Sequence, residues 1–599
     1  MTTGGTAIPI ENRETSNGLI EGNVGAAKLL TARDQSRSRW LIAAALAVLP
    51  VGTLVILRAS PYFRLNNGDP FIYVGYSNDF VGHVQRFGYT YHAVRWGLIF
   101  PLRASLTLGP VWGYFVLRYL LYLVAIVPMY FALRPGGTKI ALLGPVVFVA
   151  NPVTTCAILS THPDTMTVPL FTAMFALLVI GSRRTGKSSL ACVAAAAVCA
   201  GLGVNSNIFF TVFALITFGS FWLLLLARRE VVAALLSGLL FGLVILLVSI
   251  LGMLVYRHYF QNADIYTTTL TQIRNLSGDK TFVSPSLEWL TTRRYVYAPL
   301  VALALGFSGL VSAKRREGRW SDQRLLVFGV VLLGLGFYVL NQFAMGGNSI
   351  EISYYFSYII GPVSLLTVAS LGWLGGGHRI PIGVVAALPI GLAYLSQLLE
   401  IKSFVVFALV AMALGLATQV RKTPVVALSA ALVFMHISWG SSPRQIPPIP
   451  RATFQFEPHY EDAFGDVSTA GFEVYELATQ LSTVVPSEPG RSVPALFWYR
   501  SGDAMLDSTE ASYHWETYTV QRSPGPGMPN IAADDLRRVK TLAGVGNLVL
   551  LARTQPELDA GIVALSANGV LLGEPFPRRE LRAGKSSVVV VAIPVLAVR

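Results

Sequence analysis

The sequence is short of charge. Of its 599 residues only 13% are Asp, Glu, Lys or Arg, while 53% are hydrophobic; a soluble protein carries about 25% charged residues. So little polar surface cannot cover one large soluble globule or a string of ordinary soluble domains. Cysteine is scarce too: Cys156, Cys192 and Cys199 all fall in or beside apolar runs, where a thiol behaves as a small hydrophobe. There is no CxxC pair, His/Cys cluster or disulfide framework, so neither a zinc site nor a bridged scaffold is encoded by spacing. Residues 1–39 hold no long apolar run, which is not how a cleavable signal peptide reads. Internal repeats and low-complexity tracts are missing as well, which removes the solenoid architectures.

What the chain does have is long hydrophobic stretches and a basic surplus. Mean hydropathy is +0.55 and the pI is about 9.7, with 46 Lys+Arg against 32 Asp+Glu for a net charge of +14. Crossing the hydrocarbon core takes roughly 20 mostly apolar residues. By that criterion about thirteen segments qualify, near 40–58, 110–133, 140–160, 165–182, 189–204, 207–227, 231–256, 296–313, 324–344, 354–374, 380–398, 403–419 and 423–440. With a cytoplasmic N-terminus bearing Arg33, Arg37 and Arg39, the basic clusters alternate with the loops. Arg134 and Lys139, Arg183, Arg184 and Lys187, Arg228 and Arg229, Lys314, Arg315, Arg316, Arg319 and Arg324, Arg379, and Arg421 with Lys422 all fall inside. The short outer turns 161–164, 205–206 and 345–353 carry no Lys or Arg. The surplus therefore orients the helices by the positive-inside rule and does not point to nucleic acid.

This parity predicts a cytoplasmic tail over 1–39, a transmembrane domain over 40–440 with long outer loops 59–109 and 257–295, and an exported domain over 441–599. The last begins after the Pro-rich stretch Ser441–Pro450. Residues 469–484 have helical spacing, 494–499, 547–552 and 586–596 read as strands, and 557–569 reads as a helix stopped by Gly569. The fold class expected is thus a polytopic α-helical membrane protein with a C-terminal exported α/β domain.

The candidate chemistry lies on the outer face. Asp69 and Asp79 are the acidic residues of loop 59–109. Asp69 precedes Pro70, which suits a helix start with Asp at the N-cap, and Tyr73 and Tyr76 follow at helical spacing. His92, Arg95 and Trp96 sit in YHAVRWG, where an arginine could bind phosphate or simply rest at the interface. Arg118 lies eight residues into the second span, about 12 Å deep at 1.5 Å per residue, so by default it faces a polar cavity or an anion; snorkelling, the plainer reading, suits a residue nearer the helix end. The turn Thr161-His162-Pro163-Asp164 adds an imidazole and a carboxylate, with capping as the plainer role for Asp164. Loop 257–295 brings Arg257, Arg274, Arg293 and Arg294, cations on the side that the topology rule leaves poor in them. Glu351 with Tyr354, Tyr355 and Tyr358 forms an acidic and aromatic patch at the tenth span.

One helix, a long outer loop with an early aspartate in GDPFIYVGY, then YHAVRWG, a second helix and a short outer turn with Asp164 resembles the GT-C superfamily of integral-membrane glycosyltransferases. The resemblance covers about residues 40–440 and rests more on placement than on letters. It implies an enzyme moving a sugar, hexosyl or pentosyl, from a polyprenyl-phosphate donor to an envelope glycan, lipid or protein acceptor, with inversion. It implies Asp69 as catalytic residue, with Asp79, Asp164 and Glu351 as further catalytic or acceptor-site candidates. Donor phosphate would fall to a pool of Arg95, Arg118, Arg257, Arg274, Arg293 and Arg294. Tyr73, Tyr76, His92, Trp96, His162 and Tyr355 would contact sugar or acceptor. Asp69 has no adjacent acid and no WWD-type motif follows residue 440, which points away from the protein O-mannosyltransferase and oligosaccharyltransferase branches. No metal ligand set is predicted, though a divalent ion is left open as cofactor. The expected location is a bacterial inner membrane. The rival readings are a lipid-linked glycan transporter or flippase, which would want repeats and helices broken at the midplane, and a non-catalytic envelope assembly protein.

Overall fold

The computed structural model describes residues 40–53, 92–159, 161–259, 265–278, 297–318, 320–345, 349–350, 353–375, 495–499, 547–583 and 586–599, with single positions at 73–84, 477–484, 506 and 539–540. Most of it is helix. In chain order these are α1 (Trp40–Thr53), α2 (Trp96–Leu106), α3 (Pro110–Leu133), α4 (Thr138–Ala150), α5 (Pro152–Leu159), α6 (Asp164–Gly181), α7 (Gly186–Val204), α8 (Phe210–Ala227), α9 (Val231–Tyr259), α10 (Ile265–Gly278), α11 (Tyr297–Glu317), α12 (Asp322–Phe343), α13 (Ser353–Phe356) and, after a turn of 3-10 helix, α14 (Ile360–Gly375).

Six helices among the described residues are long and apolar enough to cross a membrane, and a seventh is gained if α4 and α5, bent by 65°, count as one span. The expected thirteen spans are therefore not all accounted for. Those at 380–398, 403–419 and 423–440 lie outside the described residues, and α1 reaches only from Trp40 to Thr53. Where the runs are long the agreement is close, as for Pro110–Leu133 against 110–133. Breaks fall where backbone chemistry puts them. Gly137, at φ 96°, makes the left-handed turn between α3 and α4 that a side chain would disfavour.

In lipid, helices gain little by hiding apolar surface from one another, so close approach of small residues carries the packing. That is how α7 works: Ala196, Ala197, Ala200, Gly201 and Gly203 are buried. At the opposite extreme, α9 exposes Leu235, Leu239, Leu243, Leu246, Leu247, Leu251 and Leu254, the surface a helix offers to acyl chains.

The C-terminal region is a sheet in the order β1-β2-β5-β3, with β4 also paired to β5. The strands are β1 (Ala495–Trp498), β2 (Asn547–Ala552), β3 (Val570–Leu572), β4 (Arg579–Ala583) and β5 (Ser586–Val598). β1 and β2 run parallel, and β5 is antiparallel to its three partners. The run of valines in β5 reflects burial on both faces. Val588, Val590 and Ala592 pack with Leu477, Leu481, Phe497 and Val549, while Val589, Val591 and Ile593 pack with Leu548, Leu550 and the helix α15 (Gln555–Ala567) through Leu558 and Leu565. α15 starts because Thr554 Oγ1 accepts from Glu557 N, and the Glu557 carboxylate accepts from Arg553 N at 3.0 Å, a variant of the capping box. β3 and β4 are additions to the sequence reading: one is three residues long, and the other, RELRA, sets three exposed charged residues about a buried Leu581.

Candidate functional site

The described site residues gather where α2, α3 and α6 begin. Asp164 opens α6 and Arg95 caps α2. A carboxylate in the first turn meets the positive end of the helix dipole, which favours it there. Asp164 is fully buried, and its Oδ1 lies 3.1 Å from His162 Nδ1. The turn that holds them is pinned by Thr165 N donating to His162 O at 2.9 Å, Thr165 Oγ1 donating to Ala157 O at 3.2 Å and Thr167 Oγ1 donating to Pro163 O at 3.2 Å.

Tyr73 connects the first outer loop to this turn. Its ring meets His92 edge-on at 5.4 Å between centroids and His162 at 6.1 Å. Arg95 Nη1 donates to its hydroxyl, and the guanidinium carbon stands 5.6 Å from its ring centroid. Arg118 reaches the same turn from α3, with Nη2 donating to Thr161 Oγ1 at 3.1 Å. Two imidazoles, a carboxylate, two guanidinium groups and a phenol thus converge. Asn207 and two tyrosines line the far side: Asn207 Nδ2 donates to Tyr358 Oη at 2.6 Å, and Tyr358 and Tyr338 are within electrostatic range of Asp164.

The other candidates are placed elsewhere or only partly described. Tyr76 is buried beside Phe80 at 6.3 Å, in an aromatic cluster with Phe100 and Tyr256. Trp96 gives Nε1 to Asn205 Oδ1 at 2.9 Å and covers Gly252, whose missing side chain leaves room for the indole. Tyr355 packs on Phe209 and accepts, through its carbonyl, the Tyr338 hydroxyl at 2.6 Å. Arg257 is exposed at the end of α9, and Arg274 belongs to α10. Asp69, Asp79, Arg293, Arg294 and Glu351 lie outside the described residues.

Within the expected outer regions 59–109 and 257–295, α2 occupies 96–106 and α10 occupies 265–278. α10 docks by Ile265 and by Tyr266, whose hydroxyl donates to Ser249 O at 3.1 Å and lies 3.2 Å from Asn205 Oδ1. Between it, Arg95 and the turn 204–208 is a cleft of about 40 Å³, room for little more than a water. A second cleft, of about 280 Å³, lies by Arg553, Arg578, Arg579 and Glu580. Two of its charges pair with neighbours outside the lining, Arg578 with Asp559 at 2.6 Å and Glu580 with Arg582 at 2.7 Å.

Sequence reasoning passed over Tyr114 and Tyr122, although they flank Arg118 at i−4 and i+4 and so share its helix face. It also missed Tyr338, an isolated hydroxyl on an apolar helix. No group of three His, Cys, Asp or Glu side chains able to hold a metal occurs among the described residues.

No family model matches the sequence, and no curated protein does. Among solved structures the chain is similar to the archaeal oligosaccharyltransferase AglB from Archaeoglobus fulgidus in complex with an inhibitory peptide and a dolichol-phosphate, at 11% identity and a TM-score of 0.41, over 89% of this chain and 73% of that one. It is similar at the same level to the Archaeoglobus fulgidus oligosaccharyltransferase in the apo form, at 12% identity and a TM-score of 0.42 over 88% of this chain and 68% of that one. The complex of that enzyme with Zn and sulfate gives 12% and 0.41, over 89% and 71%.

Proposed function

We propose that the chain is a multi-pass membrane glycosyltransferase of the GT-C type that takes a sugar from a polyprenyl-phosphate donor and passes it to a hydroxyl-bearing or amide-bearing acceptor of the cell envelope. The observation that carries this reading is the meeting of buried Tyr73, Arg95, Arg118, His162 and Asp164 with half-buried His92 at one end of a bundle of membrane-length helices. Ionisable side chains are expensive at such depth and are kept there for chemistry. This combination offers what glycosyl transfer needs: carboxylate to manage a proton and cations to receive a phosphate.

The acceptor oxygen, or nitrogen, attacks the anomeric carbon from the face opposite the phosphate, and its proton passes to a carboxylate acting as base. As that bond forms, the bond from carbon to phosphate oxygen breaks and its electron pair stays on the phosphate, where guanidinium groups offset the growing charge. Asp69 is assigned the base role, by its place in the first outer loop. Asp164, held by His162, orients the acceptor or shares the proton. The sugar is hexosyl or pentosyl, and the acceptor is a glycan, a lipid or a protein. The exported domain positions the acceptor, and the enzyme belongs in a bacterial inner membrane with that domain outside. The described side chains supply one imidazole and one carboxylate in contact, short of the three or more ligands a divalent ion takes, so no step is routed through a metal.

The test is donor consumption by the full chain in vesicles, with a polyprenyl-phosphate sugar. Asp69→Asn should fold, bind donor and lose on the order of 10²–10⁴ in rate. Full transfer by a folded Asp69→Asn protein would remove the base assignment, and movement of the lipid-linked sugar without its consumption would favour a flippase.

A further inference from the structure

The cleft of about 280 Å³ in the C-terminal region gathers its cations from two places in the chain. Arg553 follows the end of β2, and Arg578 and Arg579 stand where β4 begins. Among the described residues that line it, three arginines face one carboxylate, Glu580, and Arg582 already pairs with that at 2.7 Å. The acids just outside are engaged as well. Asp559 holds Arg578 at 2.6 Å and accepts from Gln555 Nε2 at 3.4 Å, and Glu557 accepts from Arg553 N at 3.0 Å. The Arg579 side chain forms neither a hydrogen bond nor an ion pair with any described residue. Charged side chains on an edge strand commonly keep other strands away, which accounts for Glu580 and Arg582. It does not account for Arg553 and Arg578, which belong to no strand. Nor does the positive-inside rule, which concerns short loops close to the membrane.

We propose that this cleft binds a glycan carrying an anionic group, a carboxylate or a phosphate, with Arg579 as the principal contact. A guanidinium fork takes two oxygens of either anion in parallel hydrogen bonds. α15 starts at the same cleft, at Thr554 and Gln555, so its dipole adds to the preference for negative charge. Those two side chains also offer hydrogen bonds to sugar hydroxyls, and Val589 with the arginine stems gives an apolar wall for the C–H face of a ring. A bare ion needs far less room than this. An extended acidic peptide would be expected to add itself to the β4 edge, but at Arg582 that edge is taken: Gln480 Nε2 donates to Arg582 O at 2.8 Å, and Gln480 Oε1 accepts from Arg582 N at 3.1 Å. On the glycosyltransferase reading the bound glycan is the acceptor, which is therefore acidic. That role rests on the reading; the cleft itself rests on its unmatched arginine.

The experiment measures binding of trigalacturonate, maltotriose 6-phosphate, neutral maltotriose and a hexaglutamate peptide to the full chain in nanodiscs at low salt. The proteins are the wild type, Arg579→Gln, Arg579→Glu and Arg134→Gln, the last removing the same charge from the turn between α3 and α4. Arg579→Gln is expected to weaken the charged sugars about fivefold and Arg579→Glu to abolish their binding. Neither should lower the melting temperature, because the Arg579 side chain holds nothing in the fold. Arg134→Gln should bind as the wild type does. Arg579-dependent binding of trigalacturonate alone identifies a uronate, of the phosphorylated trisaccharide alone a sugar phosphate, and of both a site that reads charge only; each supports the cleft. Equal binding of neutral maltotriose, binding of the peptide in place of the charged sugars, or binding of the charged sugars that is absent or indifferent to Arg579 overturns it. Arg579-dependent binding without sugar transfer to any acceptor would remove the glycosyltransferase reading and leave the cleft, whereas transfer to a neutral acceptor with no charged sugar bound would do the reverse.

Discussion

The two ends of α3 handle arginine in opposite ways. Arg118 and Ala132 are separated by about 21 Å at 1.5 Å per residue. At the Ala132 end, Arg183 and Arg228 bond to the carbonyls of Ala132 and Ser182, which close α3 and α6. Cations belong there, since a helix ends in unpaired carbonyls and negative dipole. Burial lowers the Arg183 pKa to about 10, and two hydrogen bonds offset that loss of hydration. At the other end, Arg95 sits at the N-cap of α2, where the dipole repels cations and attracts anions, whereas Arg118 lies more than two turns into α3, past the reach of that dipole, and is fully buried. Arg183 and Arg228 are satisfied by carbonyls at negative helix ends; Arg95 sits at a positive one, and Arg118 is buried with Nε and Nη1 lacking a hydrogen-bond partner among the described residues, which an anion would supply.

The sharpest way to break that contrast is with two carboxylates. Asp164→Asn should cut transfer by on the order of 10²–10⁴ while the melting temperature holds. Asp322→Asn should lower the melting temperature and leave transfer per folded molecule unchanged. If both variants lose activity only in proportion to folded protein, the two ends do not differ in kind.

Next in size is Arg183→Ala. It leaves the Ala132 carbonyl and the Gln323 amide without their donor at a half-buried position, a loss of about 2 kcal/mol. Thermal unfolding in detergent measures it, and binding of a prenyl phosphate should not change. Arg118→Gln should do the reverse, weakening prenyl phosphate binding and sparing the melting temperature.

Both ends were visible in the sequence to different degrees, for physical reasons. Long apolar runs are the strongest signal a chain can give, so α3, α6, α7, α8, α9 and α12 are readable to within a few residues. The turn 161–164 was also readable, because four polar residues between two such runs have nowhere to go but an interface. α10 was not, since 14 residues of mixed polarity lie below the length that separates a helix from a loop by hydropathy alone. Nor was the joining of Tyr73, Arg95 and His162, which are brought together by packing across 22 and 67 positions of chain and leave no periodic trace. The aspartate weighted most heavily, Asp69, lies outside the described residues, so its role stays a proposal. In the C-terminal region β5 announced itself by its valines, whereas β4 is an edge strand whose exposed arginines and glutamate read as loop.

A smaller effect tests whether every polar group near the site is functional. Asn205 is at the site end, yet it is satisfied from within: Trp96 Nε1 donates to its Oδ1 at 2.9 Å, and its Nδ2 donates to Gly201 O at 2.7 Å and Ser249 Oγ at 3.1 Å. Asn205→Ala should cost about 1–2 kcal/mol, raise hydrogen exchange in α10, and leave phosphate binding intact. Loss of phosphate binding would extend the functional end to this node and blur the contrast.

The smallest expected effect is in the sheet, where the pair Arg582 and Glu580 is exposed. The hydrogen bond from Arg582, 2.7 Å to Glu580 Oε2, holds the Glu580 carboxyl below the usual glutamate range, with its charge adding to the same direction. Because the folded-state pKa is depressed, whatever stability the pair adds is present above the unfolded-state value and is lost as pH falls through the folded one. Water and salt screen such a pair almost completely, so Glu580→Gln should leave the melting temperature at pH 7 within the scatter of replicates and should narrow the wild-type decline on acidification only marginally. A loss approaching that of Arg183→Ala would mean that exposure does not rank the arginine contacts of this protein, and the distinction between its satisfied and unsatisfied arginines would have to be drawn on other grounds.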